Sequence, residues 1–154
     1  MAQVSVVTPV RPLAPKLVNV AAYARVSTNG AEQLASLSAQ VSYYSRLIQS
    51  TPGWAYAGVF TDEGITGTSM KSRQGLADLM NAARAGKIDL VLCKSISRLA
   101  RNTVDLLATV RELKDLGVAV RFERERIDTL SVDGELLLTL LASFAQEESR
   151  SLSQ

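Results

Sequence analysis

The 154-residue chain has no histidine, one cysteine and one tryptophan, and aromatic residues make up only 5% of it. Without histidine, every Ser-His-Asp, Cys-His and His-metal arrangement is excluded, so any catalysis must run on hydroxyls, carboxylates, lysine and arginine. A lone cysteine cannot close an internal disulfide. Cys93 lies in the apolar run Leu90-Val91-Leu92-Cys93, which reads as a small hydrophobe inside a strand and suits a reducing, cytoplasmic compartment. No run approaches the ~18 apolar residues of a membrane span, and the N-terminus lacks a continuous signal-peptide core. Charge is nearly balanced at +2, too little to identify a partner. Its kind says more: twelve of the seventeen cations are arginine, a side chain suited to bidentate phosphate contacts and equally to ordinary ion pairs.

Apolar residues make up 47% of the chain, enough to bury one core without staples. Residues 1–16 hold three of the four prolines and no helical periodicity, so they read as a flexible tail before a single domain over 17–154. Leu17 to Tyr23 reads as a buried strand running into a polar turn at Arg25 to Gly30. A helix follows over about Gln33 to Ser50, stopped by Thr51-Pro52-Gly53. Trp54 to Asp62 is a second strand and Glu63 to Ser72 a mobile loop. Gly75 to Ala85 reads as a short helix, Ile88 to Cys93 as a third strand and Asn102 to Leu116 as a helix capped by Asn102, with Leu106, Val110 and Leu113 on one face. Val118 to Phe122 is a fourth strand. A last helix starts near Gly134 with the apolar stripe Leu137, Leu140, Leu141 and Phe144, of which Leu137, Leu141 and Phe144 are expected in the core. No stop signal precedes Gln154, as if the chain ended in mid-helix.

Strands alternating with long helices imply an α/β fold: a mainly parallel, four- to five-stranded sheet with helices on both faces. Such sheets carry their sites at the carboxyl ends of the strands. The two most polar strand-end loops are Arg25–Gly30 and Lys94–Arg101. Along an extended strand, Tyr23, Arg25 and Ser27 project to one side. A blander reading has Ser27 or Thr28 capping the next helix and Arg25 pairing with a surface carboxylate. In the second loop, Arg98 and Arg101 are three apart, a spacing that puts both on one side of a helix entrance. Cations there oppose the helix dipole, so an anion site competes with arginines that simply reach solvent.

Together these loops suggest phosphoryl transfer, which depends mainly on positioning and charge neutralisation and can use a serine activated by its electrostatic setting. A metal is poorly supported: Asp62 and Glu63 are adjacent, point to opposite faces and have no accompanying carboxylate cluster. No Walker-type loop points to a nucleotide. Two other readings stay open on the residues alone. One is a non-catalytic, flavodoxin-like domain that binds a small phosphate-bearing ligand; the other is a dimerising module built on the last helix.

The chain resembles the serine recombinase family of resolvases, invertases and large serine integrases. The resemblance runs from Val18 to Gln154 through Tyr23-Ala24-Arg25-Val26-Ser27-Thr28, Phe60-Thr61-Asp62, Arg73-Gln74-Gly75-Leu76, Ser97-Arg98-Leu99-Ala100-Arg101-Asn102, Arg121-Phe122 and Ala145-Gln146-Glu147-Glu148. It implies a resolvase-like catalytic domain whose long last helix is cut short here and leads to DNA-binding domains absent from this chain. It also implies Ser27 as the nucleophile that attacks a DNA phosphodiester to form a 5′-phosphoserine link. Arg25, Arg73, Arg98 and Arg101 would be phosphate ligands, with Tyr23, Gln40 and Asp62 in support. The implied partners are double-stranded DNA at recombination sites and further copies of the chain, with no cofactor, metal, nucleotide or membrane. Ser97 stands where small resolvases carry an aspartate, and Thr66 where they carry a serine; the large integrase and transposase branch is more similar at Ser97.

Overall fold

The computed structural model describes residues 16–26, 31–63, 73–100 and 102–152. The strands are β1 (Val18–Val26), β2 (Trp54–Glu63), β3 (Leu90–Cys93), β4 (Ala119–Phe122) and β5 (Ile127–Asp128). They form one sheet in the order β2-β1-β3-β4-β5. All neighbours are parallel except β5, which returns antiparallel along β4. This is the mainly parallel sheet expected from the alternation of elements.

Because β1 and β3 lie inside the sheet and are covered on both faces, their sequences are almost wholly apolar. Val20 to Ala24 and Leu90 to Cys93 are all buried. The helix α1 (Ala31–Ser50) covers one face, where Tyr44 and Ile48 pack on Val20, Ala22, Leu90 and Leu92. On the other face lie α2 (Gln74–Arg84), α4 (Thr103–Asp115) and α5 (Val132–Leu152), packed on Ala21, Tyr23, Val91, Cys93 and Val120. Asn102 caps α4 as expected, its side chain accepting the Asp105 amide at 2.8 Å. Leu106, Val110 and Leu113 form its buried stripe, joined by Leu107.

Three expectations are corrected. The first strand does not turn at Arg25; it continues to Val26, paired with β2 as far as Val26 and Glu63. The second strand-end loop contains a one-turn helix, α3 (Ile96–Leu99), which separates Arg98 from α4. Ala100 is extended after it, so Arg98 sits on its own one-turn helix and not at the entrance of α4. The last helix starts at Val132, and its inward face is Gly134, Leu138 and Leu141, with Leu137 and Ala142 partly buried. Leu140 and Phe144 are exposed. In a run as apolar as Leu136 to Leu141, periodicity cannot say which face turns inward. Close backbone packing decides it: a side chain at Gly134 would stand 2.5 Å from the main chain of Asp128 and Thr129.

One irregularity in β2 has consequences for the site. The β1–β2 register shifts between Val20 and Ala21, where Gly58 sits at φ 123°. A bulge switches which residue parity faces which layer. Trp54 packs against the α1 layer, yet so does Val59, while Phe60 turns to the opposite core. Asp62 therefore falls on the same side of the sheet as Tyr23. Glycine is suited to this position because L side chains rarely adopt that backbone conformation.

Candidate active site

The carboxyl ends of β1, β2 and β3 bring together five of the sequence-nominated residues: Tyr23, Arg25, Asp62, Arg73 and Arg98. They form two connected corners. In the buried corner, the Tyr23 hydroxyl donates to Asp62 Oδ2 at 2.7 Å and accepts from Arg73 at 3.2 Å. The Asp62 side chain also accepts the amides of Gly75 and Leu76 at 2.7 and 3.0 Å. These are free N–H groups in the first turn of α2, whose own N-cap residue, Arg73, provides no side-chain cap. Asp62 thus serves as a cap supplied from the neighbouring strand, with its negative charge at the positive end of the helix.

That cap needs α2 to approach β2 closely, and Gly75 permits it. A Cβ there would lie 2.1 Å from the Thr61 carbonyl oxygen. Burial, reinforced by the bond to Asp62, pushes the Tyr23 phenol far above its ordinary value against the lowering influence of Arg73. The phenol therefore stays protonated and acts as a donor. Asp62 is buried and its carboxylate is engaged by three donors, which leaves it poorly placed to take a proton from a nucleophile; it reaches Arg73 only through the Tyr23 hydroxyl. Arg73 also reaches the Leu99 carbonyl, and its Nε is buried without a partner among the described residues.

In the more open corner, two arginines hold each other through main-chain oxygens. Arg25 donates to the carbonyls of Arg98 at 3.2 Å and Ser97 at 2.9 Å, and Arg98 donates back to the Arg25 carbonyl at 2.8 Å. Burial chiefly lowers the pKa of Arg25, and the positive charges of Arg73 and Arg98 lower it further. Neutral oxygens fix the orientation of these guanidiniums without cancelling their charge. The result is a half-buried cluster of like charge, suited to an anion bearing several oxygens.

Gln40 approaches from the other layer. It lines an open cleft of about 760 Å³ with Tyr43, Lys94, Arg98 and Arg124, and its Oε1 is buried without a partner among the described residues. One turn later, Tyr44 donates to Glu123 at 2.6 Å. Sequence reasoning missed that contact, and also missed the acceptance of the Ile96 amide by Glu125 at 3.1 Å. No local pattern marks either, since both partners lie in a turn distant along the chain. Ser27, Arg101 and Thr66 lie outside the described residues, and so do residues 64–72 of the expected mobile loop.

The family model for the resolvase N-terminal domain matches residues 20–154. A resolvase/recombinase from Pseudomonas putida is 37% identical over 90 residues, which cover 58% of this chain and 48% of that protein. The R46 site-specific recombinase of Escherichia coli is 35% identical over 128 residues, covering 83% of this chain and 60% of its own. The chain thus spans about half the length of such relatives. Among solved structures, a resolvase family site-specific recombinase from Streptococcus pneumoniae aligns over 88% of this chain and 91% of its own, with 28% identity and a TM-score of 0.73. The N-terminal catalytic domain of TP901-1 integrase aligns over 88% of this chain and 99% of its own, with 28% identity and a TM-score of 0.61.

Proposed function

The chain belongs to the serine recombinase family, as a resolvase-type N-terminal domain, and from that membership we propose that it cleaves and rejoins DNA through Ser27. The Ser27 hydroxyl oxygen attacks the phosphorus of a phosphodiester. An O–P bond to serine forms while the bond from phosphorus to the 3′-oxygen breaks, leaving a 5′-phosphoserine and a 3′-hydroxyl. The serine proton is lost and one proton is gained by the leaving oxygen, so the step is balanced. One phosphodiester replaces another, and the retained bond can be reversed for rejoining without ATP.

The observation that carries this reading is the Arg25–Arg98–Arg73 cluster at the end of β1, one residue past which Ser27 follows Val26. Among the described residues, its guanidiniums are held by carbonyl oxygens and a phenol, not by carboxylates. Charge that develops on phosphate oxygens in the transition state is best met by such preorganised donors. Arg101 completes the set, while Gln40 supports from the cleft. Tyr23 and Asp62 position Arg73. With Asp62 fully engaged, the proton of Ser27 passes to water or to a group outside the described residues.

The substrate is double-stranded DNA at a recombination site, and the working unit is an oligomer of this chain. Support for assembly comes from α5, where Val132, Leu136, Leu140 and Phe144 recur every fourth residue and are all exposed; such a row is costly to leave in water. Relatives named as transposon resolvases of Escherichia coli and Staphylococcus aureus support work on mobile DNA in a bacterial cytoplasm. A small-ligand, flavodoxin-like role has no observation in its favour.

The test is a covalent trap with the full-length protein and DNA bearing its site. Denaturing gels should show protein-linked DNA, mapped to a phosphoserine at residue 27 and absent in Ser27→Ala. An undiminished adduct in that variant would refute the assignment.

A further inference from the structure

The short helix α3 carries Arg98, and its main-chain oxygens orient Arg25, yet α3 is only four residues long. A single turn has little stability of its own, because nucleation costs more than one hydrogen bond returns. Its own N-cap residue does not secure it. Ser95 makes no side-chain cap bond; its hydroxyl is paired with the Ser97 hydroxyl at 3.0 Å. The cap comes from the β4–β5 turn, where Glu125 accepts the Ile96 amide. The same turn is anchored to the opposite layer by the bond from Tyr44 to Glu123 and to β3 by the amides of Glu123 and Arg124, which donate to the carbonyls of Cys93 and Lys94. It closes with Arg126 at φ 57°, a left-handed conformation unusual for a residue other than glycine. A backbone held in that conformation implies that the turn's shape is determined by its surroundings.

On the reading of Arg25 and Arg98 as phosphate ligands, we propose that Glu125 is a positioning residue for strand cleavage. By capping α3 from the neighbouring β4–β5 turn, it sets where Arg98 stands and, through the Ser97 and Arg98 carbonyls, how Arg25 is aimed. Asp62 caps α2 next to Arg73 in the same manner. Each of the two arginine-bearing helices at the strand ends is thus capped by a carboxylate from a neighbouring sheet segment. Glu125 touches no reacting atom in this arrangement and works only through α3.

The experiment measures the single-turnover rate of covalent adduct formation at saturating DNA, together with DNA affinity and thermal melting, in the full-length protein. Glu125→Ala should slow adduct formation about tenfold, the order expected when catalytic groups are slightly misplaced, with affinity changed less than about twofold. Glu125→Gln keeps an acceptor at the same reach and should restore most of the rate. In an Arg98→Lys background, Glu125→Ala should cost much less than tenfold, because two residues acting through one contact are not additive. An unchanged rate in Glu125→Ala, a loss in Glu125→Gln as large as in Glu125→Ala, or full additivity with Arg98→Lys would each overturn the proposal. Absence of any adduct from the unaltered protein on a verified site would instead overturn the reading of Arg25 and Arg98 on which it rests.

Discussion

Arg84 and Arg25 show two ways of using the same side chain. At the far side of the molecule, Arg84 on α2 meets Glu112 on α4 with both of its reaching nitrogens, at 2.6 and 3.0 Å. Its charge is matched by a carboxylate, and the pair lies at the surface, where water and salt weaken it. The mutual hydrogen bond raises the pKa of Arg84 and lowers that of Glu112. At the strand ends, Arg25 and Arg98 are held instead by peptide carbonyls. Geometry is fixed there while the positive charge is left unmatched by these contacts. A surface ion pair is complete in itself, whereas on the proposed reading the strand-end cluster awaits the phosphate of the DNA.

Breaking that contrast should give the largest effect first. Arg98→Ala or Arg25→Ala should lower the rate of DNA cleavage by about 10²–10³-fold or more, by analogy with loss of one preorganised donor to a developing oxyanion. Arg84→Ala should leave the rate unchanged and lower the melting temperature only slightly. Equal rate losses for Arg84→Ala and Arg98→Ala would erase the distinction between the two regions.

Next come the changes to the scaffold behind Arg73. Asp62→Ala removes the acceptor for one buried hydroxyl and two helix amides, and should destabilise the fold by roughly 2–5 kcal/mol in a denaturant titration. Gly75→Ala forces a Cβ into the Thr61 carbonyl and should cost roughly 1–3 kcal/mol or more. Its reduced activity should follow the folded fraction unless α2 shifts and carries Arg73 with it. A stability unchanged in either variant would mean that α2 is not tied to β2 in the manner seen here.

The smallest effect concerns Cys93, buried beneath the same strand ends. Burial pushes its thiol up to about 12 from 9.0. The folded state therefore keeps its proton at pH values where the unfolded chain loses it. This contribution to stability is complete below about pH 9 and declines as pH rises from 9 toward 12. Alkylation at pH 8 should be slow in the native protein and fast in denaturant. Rapid native labelling would show that β3 opens locally, and that the platform beneath the arginines is less rigid than its packing indicates.

Much of this could be read along the chain. The strand–helix alternation, the Asn102 cap, the stripe of α4 and the buried Cys93 all depend on neighbours within a few residues, and local propensity and burial govern them directly. Tyr23, Arg25, Asp62, Arg73 and Arg98 were legible as candidates through motifs resembling those of a family. Their roles relative to one another were not. Tyr23 and Asp62 lie 39 residues apart, Arg25 and Ser97 72, and Tyr44 and Glu123 79.

The sequence by itself determined the layer architecture, because an apolar strand must be covered on both faces and an amphipathic helix must turn its stripe inward. It also determined a chain rich in arginine and without histidine. Only the tertiary structure decided which carboxylate meets which group. The bulge at Gly58 turned Asp62 toward Tyr23, the return of β5 brought Glu125 over α3, and the approach at Gly134 selected the inward face of α5. Each depends on sheet register and backbone approach, where a displacement of a single residue reverses which side chains meet.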